Sequence, residues 1–211
     1  MPRKTMLKLY GGALSRATIV QWYIEELQVP YEYELLDMQA QAHKQPEFLA
    51  INPMGRVPAI VDGEFLLWES GAILLYLAEK YGKMPLSLEQ RALVTQWVLF
   101  ANATLGPAIF VKENLVRETP DLLTALNQIL EQQTFLLGDH FSVADVAVGS
   151  FLAYIPIMMK LDVSAYPDVV NETKQAMSKI DLKAYPAVLN YVLQMSERPA
   201  FQKSIGATYK V

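Results

Sequence analysis

Two short runs with strand composition, Val57–Val61 and Glu64–Trp68, are separated only by Asp62-Gly63. An Asp-Gly pair in that setting closes a tight hairpin, so the two strands must lie antiparallel. Upstream the pattern alternates. MLKLY reads as a strand ending at Tyr10, and Thr18 to Leu27 carries Ile19, Val20, Tyr23, Ile24 and Leu27 at helical spacing. Tyr31 to Leu36 returns as a strand after Pro30, His43 to Ala50 reads as a short helix, and Glu69 to Tyr81 is helical again. The order β-α-β-α-β-β-α predicts a mixed four-stranded sheet with helices on its faces. Parallel neighbours need a helical crossover, and the hairpin supplies the antiparallel edge.

Beyond Gly82-Lys83-Met84-Pro85, which reads as a linker, no strand pattern is found. Ser87-Leu88-Glu89-Gln90 has the form of a capping box opening a long helix, which Pro107 is expected to kink. Thr119-Pro120 starts another helix, expected to end near Gly138. Ser142-Val143-Ala144-Asp145 starts a third, with Phe141 and Val146 placed as a hydrophobic staple. The segments AYPDVVN (Ala165–Asn171) and AYPAVLN (Ala184–Asn190) read as two similar helix starts, since a solenoid needs more copies. The expected organisation is an α/β domain over residues 1–81, a linker over 82–88 and an all-helical domain over 89–211.

Composition narrows the chemistry. A net charge of −4 argues against nucleic-acid binding, which calls for a basic face. No run of about 18 apolar residues occurs, and Val146 to Met159, bounded by Asp145 and Lys160, reads as a buried helix. MPRKTM lacks the long apolar stretch of a signal peptide, so a cytoplasmic protein is expected. There are no cysteines and only two histidines, His43 and His140, without ligand-like spacing. Metal sites and thiol nucleophiles are therefore not expected. Hydroxyls, carboxylates, backbone groups and a borrowed cosubstrate remain.

Several separated motifs resemble those of the glutathione S-transferases: NPMGRVPAIVDG (Asn52–Gly63), WESGAILLYLAEKY (Trp68–Tyr81), FSVADVAVGSFL (Phe141–Leu152) and RPAFQKS (Arg198–Ser204). The resemblance covers nearly the whole chain. It implies a thioredoxin-like N-terminal domain, an all-helical second domain and glutathione as cosubstrate. It also implies three anchors. Val57-Pro58, with a cis bond, would turn the Val57 backbone outward to pair with the extended cosubstrate, as in strand addition. Glu69 and Ser70 would receive the γ-glutamyl end, Ser70 adding a donor to the free N–H groups of a helix start. His43 and Lys44, with Arg56 nearby, would meet the glycine carboxylate.

Two hydroxyls compete to hold the glutathione sulfur as a thiolate. Ser15 precedes Arg16-Ala17-Thr18 at the positive end of the first helix; as its N-cap it would accept from a backbone N–H and keep its proton for sulfur. Tyr10 ends the first strand and is the better donor by chemistry, as in alpha, mu and pi relatives. The flanking motifs are similar to the theta, delta and phi branch, where serine acts, so Ser15 is favoured with Tyr10 as the alternative and Arg16 adding field. A cyanobacterial chi-type membership stays open.

Without cysteine the chain is expected not to exchange thiols as omega and beta relatives do. That leaves conjugation of small hydrophobic electrophiles and selenium-independent peroxide reduction, in a setting of detoxification and stress response. The electrophile pocket is expected between the domains, with Leu14, Phe100, Leu105 and Phe110 on its wall. Met54 is placed to insert into a second copy, giving a homodimer. A non-catalytic protein of the same fold, carrying ligands or docking partners, is the competing reading.

Overall fold

The structure, a computed structural model, describes residues 6–82, 87–160, 174–175 and 177–210. Most of the expected linker and the first AYP segment (Ala165–Asn171) lie outside the described residues.

Strands β1 (Leu7–Gly12), β2 (Tyr31–Leu36), β3 (Ala59–Asp62) and β4 (Phe65–Trp68) form one mixed sheet in the order β2-β1-β3-β4. β1 lies parallel to β2 and antiparallel to β3, with Leu9 opposite both Tyr33 and Ile60. Helix α1 (Ala17–Leu27) makes the crossover from β1 to β2. The hairpin turns one residue later than expected. Asp62 pairs with Phe65, so Gly63 and Glu64 form the turn, and only Gly63 takes a positive φ of 70°. A lone positive φ at the first turn position is what a type II′ turn requires.

Alternation along the strands decides which face is covered. Leu7, Leu9 and Ile60 are buried together with Ile19, Val20 and Ile24 of α1 and Ile73, Leu74 and Leu77 of α3 (Ser70–Lys80). Each such side chain contributes about 1.5–3 kcal/mol on burial. Tyr10, of opposite parity on β1, meets Phe48 of α2 (Pro46–Leu49), the ring centroids 5.8 Å apart. The expected helix over His43–Ala50 is divided. A 3-10 turn spans Ala42–Lys44, and Pro46 holds Gln45 extended (φ −78°, ψ 151°) before α2 begins.

Among its described residues the second half is built of helices joined by turns, with no strand. Helix α4 (Leu88–Phe100) begins at a complete capping box made by Ser87 and Gln90. It passes into a π-helical turn, Ala101–Leu105, and then α5 (Gly106–Phe110). Pro107 has no N–H to give the preceding turn, and the widened turn absorbs the break. Helices α6 (Lys112–Arg117) and α7 (Thr119–Leu130) follow. α7 ends earlier than expected: Phe135 and Gly138 close a tight turn, and the Leu136 N–H is taken by the Asp145 carboxylate. Helix α8 (Val143–Lys160) runs through the centre of the core, buried over most of its length against Val94 and Val98 of α4 and Val188, Val192 and Met195 of α9 (Pro186–Ser196). Helix α10 (Pro199–Phe201), a π-helical turn Gln202–Gly206 and α11 (Ala207–Tyr209) bring the chain back against α1.

Candidate active site

Between β1 and α1 the chain turns sharply, with Leu14 in the left-handed region (φ 54°). A residue with a Cβ costs roughly 1–2 kcal/mol there, so the surrounding contacts hold the turn closed. Ser15 supplies them. Its Oγ accepts from the N–H groups of Gly12 (3.2 Å) and Ala17 (3.3 Å). Among the described residues, no acceptor takes the Ser15 hydroxyl proton. The N-cap of α1 is Arg16 and not Ser15, which sits one residue earlier. Ser15 nevertheless accepts from the first turn, and its own proton is unspent among the described residues. Tyr10 is half-buried and packs on Phe48, on the sheet face away from Leu7 and Leu9.

The other expected anchors lie on neighbouring loops. Val57-Pro58 is a cis bond, and Val57 lies beyond the last ladder pair, Tyr10 with Ala59. The loop before it is held by a residue the sequence reading passed over. Buried Asn52 donates through Nδ2 to the Arg56 carbonyl (2.6 Å) and accepts from the Met54 N–H (3.0 Å). Lys44, expected to offer its charge to a carboxylate, spends part of it here: Nζ donates to the carbonyls of Gly55 (2.8 Å) and Met54 (3.4 Å). Gly55 has a φ of 56°, and a Cβ there would lie 2.9 Å from the His43 carbonyl oxygen, so only glycine fits. His43 Nδ1 is buried without a hydrogen-bond partner among the described residues. Arg56 is exposed.

Glu69 is exposed, with a φ of 72°, immediately before α3. Such strain costs on the order of 1–3 kcal/mol and persists only where the surroundings fix it. Ser70 is buried. Its hydroxyl, expected to be a free donor to an anion, is committed to Asn102 Oδ1 at 3.0 Å. The orphan N–H groups of the first α3 turn remain as donors. Asn102 sits on the π-helical turn. Its Oδ1 also accepts from Arg16 Nη1 at 3.5 Å, and its Nδ2 donates to the Val98 carbonyl. It thus joins the Ser15 turn and the Ser70 helix start to the helical half. No sequence signal pointed to it, because its partners are distant in the chain.

Of the expected pocket wall, Leu14 is exposed, and Phe100 and Phe110 are partly so. Leu105 is a correction: it is fully buried in the core, since the π-helical turn rotates it inward. Phe110 meets the rings of Phe151 and Tyr154, and the Arg16 guanidinium lies over Phe151, 5.2 Å from its centroid. A cationic group therefore stands beside an aromatic wall next to Ser15. Among the described residues, no cluster of His, Asp and Glu could hold a metal ion.

The N-terminal domain of glutathione S-transferase matches residues 5–79, and a C-terminal domain of glutathione S-transferase matches residues 110–193. The disulfide-bond oxidoreductase YfcG of Escherichia coli is 34% identical over 190 residues, 79% of this chain and 87% of that protein. Among solved structures, a glutathione transferase from Burkholderia graminis, with two glutathione molecules bound per subunit, is 28% identical with a TM-score of 0.76. It covers 98% of this chain and 90% of that one. A glutathione transferase from Populus trichocarpa is 27% identical with a TM-score of 0.73, over 96% of this chain and 99% of that one.

Proposed function

The chain belongs to the glutathione S-transferase family, and from that premise we propose that it binds glutathione at the β1–α1 turn and holds its sulfur as a thiolate through the Ser15 hydroxyl. The observation that carries the reading is the state of that hydroxyl: two N–H groups fix its oxygen, and its proton is unspent among the described residues. A free thiol has a pKa near 8.5. Lowering it by about two units needs roughly 2.7 kcal/mol of preference for the anion. A hydrogen bond to a charged group supplies about 1.5–3 kcal/mol, and a helix N-terminus about 0.3–2 kcal/mol. One hydroxyl at one helix start is enough, and no base need stay close.

In this reading residues 1–81 hold glutathione. Val57 pairs with its backbone, the α3 start with Glu69 and Ser70 receives the γ-glutamyl carboxylate, and His43, Lys44 and Arg56 meet the glycine carboxylate. Residues 89–211 supply the apolar wall with Phe100 and Phe110, Leu14 closing it from the first domain. The thiolate attacks a small hydrophobic electrophile or a peroxide. The chain works in the cytoplasm as a homodimer, with exposed Met54 at the contact between copies.

A second reaction is favoured by the Escherichia coli relative, which is named for disulfide-bond chemistry. The absence of cysteine excludes exchange only through a sulfur of the protein. The glutathione thiolate can itself attack one sulfur of a disulfide, forming a mixed disulfide and releasing the other sulfur as thiolate. The same Ser15 hydroxyl serves both reactions.

Ultraviolet difference spectra of bound glutathione across pH test the site. A depressed thiol pKa, lost in Ser15→Ala and kept in Tyr10→Phe, is expected. Loss only in Tyr10→Phe would move the role to the phenol. Binding with no change in thiol pKa would leave a carrier without catalysis. Assays with an aryl halide, a hydroperoxide and hydroxyethyl disulfide then separate the reactions.

A further inference from the structure

Ser15 is held through its carbonyl as well as its side chain. The Ser15 oxygen accepts from the Thr18 N–H at 3.3 Å and from Thr18 Oγ1 at 3.1 Å. Thr18 is buried, and its Oγ1 lies 2.7 Å from the hydroxyl of Tyr154 on α8. The single proton of Thr18 goes to Ser15, so Tyr154 is the donor in that bond. Tyr209 of α11 stands against Tyr154 edge to face, the ring centroids 5.6 Å apart. The donors run in one direction, from Tyr154 through Thr18 to the Ser15 carbonyl. Burial pushes the Tyr154 phenol well above its ordinary range, so it stays a protonated donor.

The N–H groups of Gly12 and Ala17 fix the Ser15 oxygen inside a turn containing a left-handed leucine. The direction of the side chain also follows the peptide plane behind it. That plane is fixed by the Thr18 hydroxyl. Hydrogen bonds in a directed chain also polarise one another, by about 10–30% each, so the last donor in the chain is stronger than a lone threonine. We infer that Tyr154 is a positioning residue for Ser15: through Thr18 it fixes the direction in which Ser15 donates, and so ties the packing of α8 to the acidity of bound glutathione. The inference rests on the reading of Ser15 as the thiolate donor. It adds a dependence on a residue of the helical half that touches neither sulfur nor electrophile.

The test is the pKa of the bound thiol in Tyr154→Phe, read from thiolate absorbance and paired with kcat and KM for glutathione. The variant is expected to raise that pKa and lower kcat near neutral pH by about threefold to tenfold, the worth of one hydrogen bond. KM should change little, and the deficit should close as pH rises. Tyr191→Phe removes another buried hydroxyl of the same half, one bonded to Asp145 Oδ1 at 2.9 Å. It should lower thermal stability without moving the thiol pKa. If Tyr154→Phe does not fold, Thr18→Ser and Thr18→Val decide: the serine variant should keep the wild-type pKa and the valine variant should raise it. A wild-type pKa in folded Tyr154→Phe or in Thr18→Val, or an equal shift in Tyr191→Phe, overturns the inference. If Ser15→Ala still abolishes the depression, the serine reading survives that result. A wild-type protein whose bound thiol has the free-thiol pKa overturns both.

Discussion

In the proposed reading Ser15 holds the glutathione thiolate, and the size of its effect follows from one bond. Replacing it by alanine removes a donor to a charged sulfur, worth about 1.5–3 kcal/mol, or roughly tenfold to a hundredfold in thiolate population below the free-thiol pKa. The sign with pH is fixed. With the bound thiol pKa below that of the free thiol, as proposed, the Ser15→Ala deficit should be largest at neutral pH and vanish once the medium ionises the thiol unaided. A pH–rate profile of kcat for wild type and variant checks this; a deficit constant with pH would mean that the serine acts only in binding. The place of Ser15 just ahead of a helix start was legible in the sequence because that signal is local. Asn102 was not. The bonds that define it reach to Arg16 and Ser70, and only the folded chain brings them together. Leu105, expected on the pocket wall, lies instead at the end of the π-helical turn with its side chain in the core.

At the level of elements, starts were more legible than ends. Ser87 and Gln90 make the capping box that their spacing announced, and Asp145 takes the Ser142 N–H while Ser142 accepts from the Ala144 N–H. The end of α7 depends instead on Asp145, fifteen residues beyond Leu130, whose Oδ1 accepts the Leu136 N–H (2.9 Å) and the Tyr191 hydroxyl (2.9 Å). Its Oδ2 accepts from the N–H (2.8 Å) and hydroxyl (3.0 Å) of Ser142. Burial raises the carboxyl of Asp145 above its usual range, against the pull of those four bonds in the other direction. Replacing Asp145 by alanine would leave the Leu136 N–H and the Tyr191 hydroxyl unpartnered in the core and remove the cap of the central helix. The expected loss is about 3–5 kcal/mol, since each orphaned buried donor costs about 1–3 kcal/mol. Urea unfolding followed by far-ultraviolet circular dichroism measures it; a loss below about 1 kcal/mol would mean that water replaces the carboxylate.

For the whole molecule the question is what makes an α/β half and a helical half into one body. Trp22, fully buried on α1, packs edge-on against Phe201 and tilted against Phe141, and its Nε1 donates to Glu26 at 2.8 Å. Arg198 then closes on the same carboxylate with two bonds, at 2.6 and 2.8 Å, while its guanidinium stacks 3.6 Å over the Phe141 ring. The RPAFQKS segment was recognisable in the sequence, but not its partner, because 172 residues separate Arg198 from Glu26. The fork is mostly withdrawn from water, the two side chains being 27% and 14% exposed, so salt should screen it little. Glu26→Ala strands a guanidinium and the Trp22 N–H at the junction and should destabilise the protein by about 3 kcal/mol. Arg198→Lys keeps the charge but loses the planar fork and the stacking, and should cost about half as much. If the junction is what unites the halves, Glu26→Ala should also separate one thermal transition into two by calorimetry, with bound glutathione raising only the transition of the half that carries Ser15. A single transition in Glu26→Ala, shifted no more than in an exposed variant such as Glu32→Ala, would mean that the apolar contacts of Trp22 hold the halves together without the ion pair.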